Sequence, residues 1–210
     1  MSKIQEIAQA VQAGKIKIVG GLVEEALAEG LDPVQILNES MIGTMAIVGN
    51  KFQRSEIFVP EMLIAAKAMK KGVEVLKPRL AGEAGISLGK CIIGTVAGDM
   101  HDIGKNLVAM MIESTGFEVI DLGVDVSPDQ FIGALQSNPD TKILALSALL
   151  TTTMPAMKRS IEAVKGAGLM HFKIIVGGAP VTQEYANQIG ADGYSPDAAS
   201  AAALAKQLIA

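Results

Sequence analysis

Tryptophan is absent from this 210-residue chain, cysteine occurs once, and aromatic residues amount to five Phe and two Tyr. A core must therefore be built from aliphatic side chains and the 11 Met, whose flexible thioethers fill irregular gaps. One cysteine excludes an internal disulfide and suits a reducing compartment. Cys91 lies in an apolar run and reads as an inert, buried thiol. There is no excess of positive charge: 18 basic against 22 acidic residues give a net charge of −4, with no pull toward nucleic acid or an anionic membrane. The imbalance is local, since residues 1–85 carry ten basic and ten acidic groups and residues 86–210 carry eight and twelve. No apolar run approaches the ~18–20 residues that span a bilayer. The N-terminus becomes amphipathic after Met1-Ser2-Lys3 without a long apolar core, so the expected location is the cytoplasm.

Half the residues are apolar, ample for one or two domains. Residues 1–85 read as a four-helix bundle. Ile4, Ile7, Ala8 and Val11 share one helical face, ended by Gly14, and Ile16 to Leu27 form a second helix ended by Gly30. Asp32-Pro33 is a start signal, an acid cap before proline at the first helical position. It opens a third helix carrying Ile36, Leu37, Met41, Thr44, Met45 and Val48, and Pro60 opens a fourth. Met41 and Met45, at i,i+4, read as core. Pro78 to Gly89, with three Gly, reads as a linker.

From residue 86 the rhythm alternates strand and helix. Strands are predicted at 90–96, 117–122, 142–147, 172–176 and 192–194, with helices near 104–115, 128–137, 153–167, 181–189 and 197–208. The alternation predicts a doubly wound, flavodoxin-like parallel sheet of five strands.

The first strand runs into Gly98-Asp99-Met100-His101-Asp102-Ile103-Gly104, which places Asp99 and His101 at the carboxyl end of a strand, where open α/β sheets bind ligands. A histidine with a nearby carboxylate can give one ring nitrogen to a metal and the other to the acid. Asp102 stands where a cap of the following helix belongs. Further on, Ser147, Leu149, Thr151 and Thr153 cluster at the end of the third strand, and Gly177-Gly178-Ala179 leaves the fourth.

Asp99-x-His101-x-x-Gly104 resembles the signature of cobalamin-binding domains, in which the histidine replaces the cofactor's benzimidazole as lower cobalt ligand. The Ser147–Thr153 stretch resembles the one lining the pocket for the cofactor's nucleotide tail. Gly177-Gly178 resembles the turn that packs on that tail. Val48–Phe52 and Phe58-Val59-Pro60 resemble the helical cap of methionine synthase and of corrinoid methyl carriers. The resemblance implies a helical cap over residues 1–85 and a Rossmann-like cobalamin domain over 86–210. It implies cobalt ligation by His101, with Asp99 and Thr153 completing a proton relay in which the family more often has serine. It further implies cofactor contacts from Gly98, Met100, His101, Asp102, Ile103, Gly104, Ser147, Leu149, Thr151, Gly177, Gly178 and Ala179, and shielding of the upper face by Phe52 and Val59.

On the same resemblance the cofactor is a cobalamin, methylcobalamin or a related corrinoid. The chain would be a methyl carrier and not a complete enzyme. Its partners would be a substrate-specific methyltransferase, a second methyltransferase acting on tetrahydrofolate or coenzyme M, and a reductive activation protein, with no nucleic acid and no membrane. A cobalamin-dependent regulator or sensor, and the small subunit of a mutase, stay open as alternatives.

Overall fold

A computed structural model describes residues 2–80 and 87–210. The chain divides into two compact units, Met1–Ile86 with Ser114–Gly116, and Ser87–Glu113 with Phe117–Ala210.

The first unit is helical: α1 (Lys3–Gln12), α2 (Ile16–Ala28), α3 (Pro33–Gln35), a π-helical stretch (Ile36–Ile42), α4 (Gly43–Gln53) and α5 (Val59–Leu80). Ser2 and Gln5 form a capping box at α1, and the Asp32 carboxylate accepts the Gln35 N–H at 2.9 Å to start α3. Gly14 and Gly30, at φ +65° and +84°, follow the ends of α1 and α2 as expected for left-handed terminators. Ile7, Val11, Val19, Val23, Ile36, Met41, Met45, Met62 and Leu76 are buried in this unit's core. Met41 and Met45 are therefore packing residues, as their spacing indicates.

Two features depart from the sequence reading. The third helix is not uniform: its middle is wound as a π-helix, and the hydroxyls of Ser40 and Thr44 donate to the carbonyls of Ile36 and Ser40 at 2.5 and 2.9 Å. The predicted linker begins too early, because α5 continues through Pro78 to Leu80. A proline inside a helix costs roughly 3 kcal/mol. Here Leu76 and Leu80 on either side of it are buried, and two such side chains offset a cost of that size. Residues 81–86 of that linker lie outside the described residues.

The second unit is the expected doubly wound sheet. Its elements are β1 (Lys90–Thr95), α6 (Ile103–Glu113), β2 (Glu118–Asp121), α7 (Pro128–Ser137), β3 (Thr141–Ser147), α8 (Met154–Gly166), β4 (Lys173–Gly177), α9 (Gln183–Gln188), β5 (Gly193–Tyr194) and α10 (Ala198–Ile209). All pairings are parallel and the order is β2-β1-β3-β4-β5. Helices cover both faces, so β1, β3 and β4 read as near-continuous apolar runs; Cys91–Ile93, Ile143–Leu146 and Ile174–Val176 are buried throughout. Large and small residues alternate in the packing: a Cβ on Gly94 would lie 2.9 Å from the Phe131 ring, which is wholly buried. Burial pushes the Cys91 thiol up to about 12, in keeping with an inert group.

The order reverses at β1, whose neighbours are β2 on one side and β3 on the other. A crevice opens outside the carboxyl ends of the strands at such a point. Among the described residues no helix is long and apolar enough to cross a membrane.

Candidate functional site

Thr95, Ser147 and Gly177 are register partners across β1, β3 and β4. The loops leaving these strands therefore start level with one another, and the three sequence segments singled out above meet at one edge. Register brings them together although the first two are about 50 residues apart in the chain, as the 2.7 Å bond from the Leu149 N–H to the Asp99 carboxylate shows.

Asp99 is the centre of the site. It is fully buried, and it accepts four hydrogen bonds. Oδ1 takes the His101 N–H at 3.1 Å and faces His101 Nδ1 at 2.8 Å; Oδ2 takes the Leu149 N–H at 2.7 Å and the Thr153 hydroxyl at 2.8 Å. Burial by itself raises a carboxyl pKa. The donors from Leu149, His101 and Thr153 outweigh it and lower Asp99 to about 2. An acceptor ionised at neutral pH holds the ring proton on Nδ1 and leaves the Nε2 lone pair uncommitted. The His101 side chain is 52 % exposed, so that nitrogen is open to a ligand from outside.

The Thr153 hydroxyl lies between Asp99 Oδ2 and the Leu150 carbonyl, 2.9 Å away, and its one proton serves both. Its methyl group sits 3.8 Å from where a Gly98 Cβ would be. Threonine thus supplies a hydroxyl to Asp99 without crowding the loop.

The loop itself is over-determined. Gly98 has φ +82°, and its N–H donates to Asp125 Oδ1 at 2.7 Å. The Asp99 N–H reaches Val96 O, the Asp125 N–H reaches Asp99 O, and the Thr95 hydroxyl donates to His101 O at 2.9 Å. Thr95 and Asp125 were not visible as loop-builders in the sequence; the available signal was an acid two residues after Gly123 in a turn, a place where Asp tolerates left-handed backbone. Lys105 was also missed. It is 2 % exposed on α6, donating to Asn106 Oδ1 at 2.6 Å and pairing with Asp121.

Around His101 the surface is apolar. Met100 and Ile103 are strongly exposed, Leu149 and Leu150 less so, and a Cβ at Gly104 would meet nothing within 4 Å. Exposed apolar side chains grouped about one polar group mark a ligand site. Thr151 is exposed and Ser147 half-buried beside them. Among the described residues no three His, Cys, Asp or Glu side chains cluster to hold a bare metal ion. One free histidine nitrogen on an apolar shelf fits instead a metal that arrives inside a large, partly apolar ring.

One expectation needs revision in its physics. Asp102 does not cap α6 with its carboxylate, which accepts from the Asn106 side chain at 3.1 Å; its carbonyl takes the Asn106 N–H at 2.7 Å. At Gly177 and Gly178 a demand for glycine comes from the protein's own chain: at φ +128° a Gly178 Cβ would lie 1.8 Å from Ala148 O, and a Gly177 Cβ would lie 3.2 Å from Ser195 O, while Gly178 remains exposed. Ala179 beside them is exposed. In the helical unit Phe52 and Val59 are half-buried, outside that unit's buried core, and Phe58 is 65 % exposed.

Two family models, each for a B12 binding domain, match this chain, one over residues 89–203 and the other over residues 3–77. The chain is 44 % identical over 210 residues to dimethylamine corrinoid protein 1 of Methanosarcina acetivorans, covering 99 % of this chain and 97 % of that one. Among solved structures it is similar to the methanol:cobalamin methyltransferase complex MtaBC from Methanosarcina barkeri, with a TM-score of 0.87, 30 % identity, and coverage of 99 % of this chain and 79 % of that one. It is also similar to a cobalamin-binding protein from Desulfitobacterium hafniense, with a TM-score of 0.82, 29 % identity and full coverage of both chains. The buried Asp99, the outward nitrogen of His101 and these matches agree, and the chain belongs to the family of B12-binding corrinoid proteins.

Proposed function

We propose that this protein is a corrinoid methyl carrier, with residues 1–85 as a helical cap domain and residues 86–210 as the corrinoid-binding domain. The observation that carries the reading is the Asp99–His101 pair, in which a buried, ionised acid holds Nδ1 and frees Nε2. When bound, the corrinoid supplies a cobalt centre that can accept a methyl group and hand it on. The protein's residues do the rest. His101 would hold the cobalt through Nε2. Asp99 and Thr153 hold or release the proton on the far ring nitrogen and so tune how strongly His101 donates. Gly98, Met100, Asp102, Ile103 and Gly104 would make contact with the macrocycle. Ser147, Leu149, Thr151, Gly177, Gly178 and Ala179 line the path of the nucleotide tail. Phe52 and Val59, which resemble the family's cap residues, would shield the bound corrinoid from water.

The methyl donor is a small methylated amine or alcohol presented by a substrate-specific methyltransferase, in line with what the relatives' names state for those proteins. A second methyltransferase passes the methyl to tetrahydrofolate or coenzyme M, and a reductive activation protein restores the carrier. The match of a B12 domain model to residues 3–77 as well as 89–203 favours a capped carrier over a mutase small subunit.

Electron paramagnetic resonance of the cobalt(II) form, made with nitrogen-15-labelled protein, tests the site. The expected result is an axial nitrogen split by the protein label and lost in His101→Ala. An axial nitrogen that stays that of the cofactor overturns the ligand assignment. Transfer of a labelled methyl group from dimethylamine or methanol, in the presence of the matching purified methyltransferase, tests the carrier role; failure with methylated amines and alcohols alike overturns the donor class.

A further inference from the structure

Asp125 is one of two described non-glycine residues with left-handed backbone, at φ +53°. Such a conformation is sparsely populated outside glycine and persists where its surroundings over-determine it. Here the surroundings are the histidine loop. The Asp125 side chain and main chain grip two successive residues: Oδ1 accepts the Gly98 N–H at 2.7 Å, and its N–H donates to Asp99 O at 3.0 Å. Extended backbone at Asp125 would swing the carboxylate and the N–H apart, so both bonds require the left-handed turn. Gly98 is itself left-handed and has no side chain to hold it, so the Asp125 carboxylate is its anchor.

We propose that Asp125 is a positioning residue for the metal ligand: it fixes the backbone on both sides of the Asp99 amide, and through Asp99 it sets the direction of the His101 ring. The inference rests on the reading of His101 as the cobalt ligand. Asp125 touches neither the ring nor the site of any ligand; it acts on the residue that holds the ring. Its position after β2 also makes the adjacent strand a structural support of the β1 loop, through the parallel bridge between Val96 and Val126.

The test uses the full chain reconstituted with cob(II)alamin, and reads the ratio of histidine-bound to histidine-free cobalt by paramagnetic resonance, beside the melting temperature of the apoprotein. Asp125→Gly keeps the left-handed turn easy but removes the acceptor. Asp125→Asn keeps both a carbonyl acceptor and tolerance of this backbone. Removing a group that bonds directly to a metal-bound histidine costs ~10–100-fold. Asp125 acts one bond further out, so Asp125→Gly should lower the ratio about threefold to tenfold, while Asp125→Asn stays near wild type and both melt close to it. A wild-type ratio in Asp125→Gly overturns the proposal. So does a loss in both variants that follows a shared fall in melting temperature, since that marks a merely structural residue. Absence of histidine-bound cobalt in the unmodified protein overturns the ligand reading itself, a different failure.

Discussion

The loops after β1 and β4 both carry glycines, and the reasons differ. At the β1 end Gly104 faces open space and Gly98 is held by hydrogen bonds alone, with nothing closer than 3.8 Å to its missing Cβ. At the β4 end Gly178 is pressed against the backbone of Ala148. One loop leaves space around its glycines, and the other presses one face of its glycine against the chain while Gly178 and Ala179 stay exposed. A glycine in a binding motif therefore does not by itself report contact with a ligand; what its absent side chain would meet decides the matter.

The sharpest way to break this comparison is Gly178→Val. Backbone overlap and an adverse φ together should cost about 4 kcal/mol or more, enough to lose the fold in the absence of cofactor. Thermal melting of the apoprotein would show it, and an unchanged melt would mean that this turn is as open as the other.

Asp99→Asn comes next. An amide cannot accept all four donors, so a buried donor loses its partner at a cost of about 3 kcal/mol. The ionised acid also makes a pH-dependent contribution. Its pKa is lowered to about 2, so its stabilisation is complete above the unfolded carboxyl range near 4 and fades as the pH falls toward 2. Denaturant titration of the apoprotein between pH 5 and 2 should show about 2 kcal/mol of acid sensitivity that Asp99→Asn lacks. An identical slope in both proteins would place Asp99 in water.

Thr153→Val should cost about 1 kcal/mol through the hydroxyl it removes, with Thr153→Ser close to neutral. If valine is harmless, the hydroxyl is bonded to neither Asp99 nor Leu150. The smallest effect belongs to Gly104→Ala. On a helix with open space around it, alanine should raise apoprotein stability by ~0.5–1 kcal/mol. A loss there would show that the β1 end is as crowded as the β4 end.

Much of this was legible in the chain. Period and glycine placement gave the alternating unit, and β1 to β5 fall where their apolar runs lie. His101 and Asp99 were legible because Asp99-x-His101-x-x-Gly104, with the matching segments downstream of it, resembles a cobalamin-binding signature. What escaped depends on distant partners. Asp125 meets Gly98 across 27 residues, and Ala148 meets Gly178 only once β3 and β4 are in register. The π-helical turn hides because a helical face looks alike at either pitch over seven residues. Pro78 misled because its cost is local, whereas the burial of Leu76 and Leu80 that offsets it is tertiary.

Cys91 acquires a further meaning beside a methyl-handling site. A thiolate is an avid methyl acceptor, and one within reach would end the carrier's life by alkylating itself. With its pKa pushed up to about 12, only ~10⁻⁵ of this thiol ionises at neutral pH. It lies wholly inside β1, near the end of the strand opposite the histidine loop. The chain's one sulfhydryl is thus withheld from the chemistry next door, and the methyl group has no thiolate of this chain to be lost to.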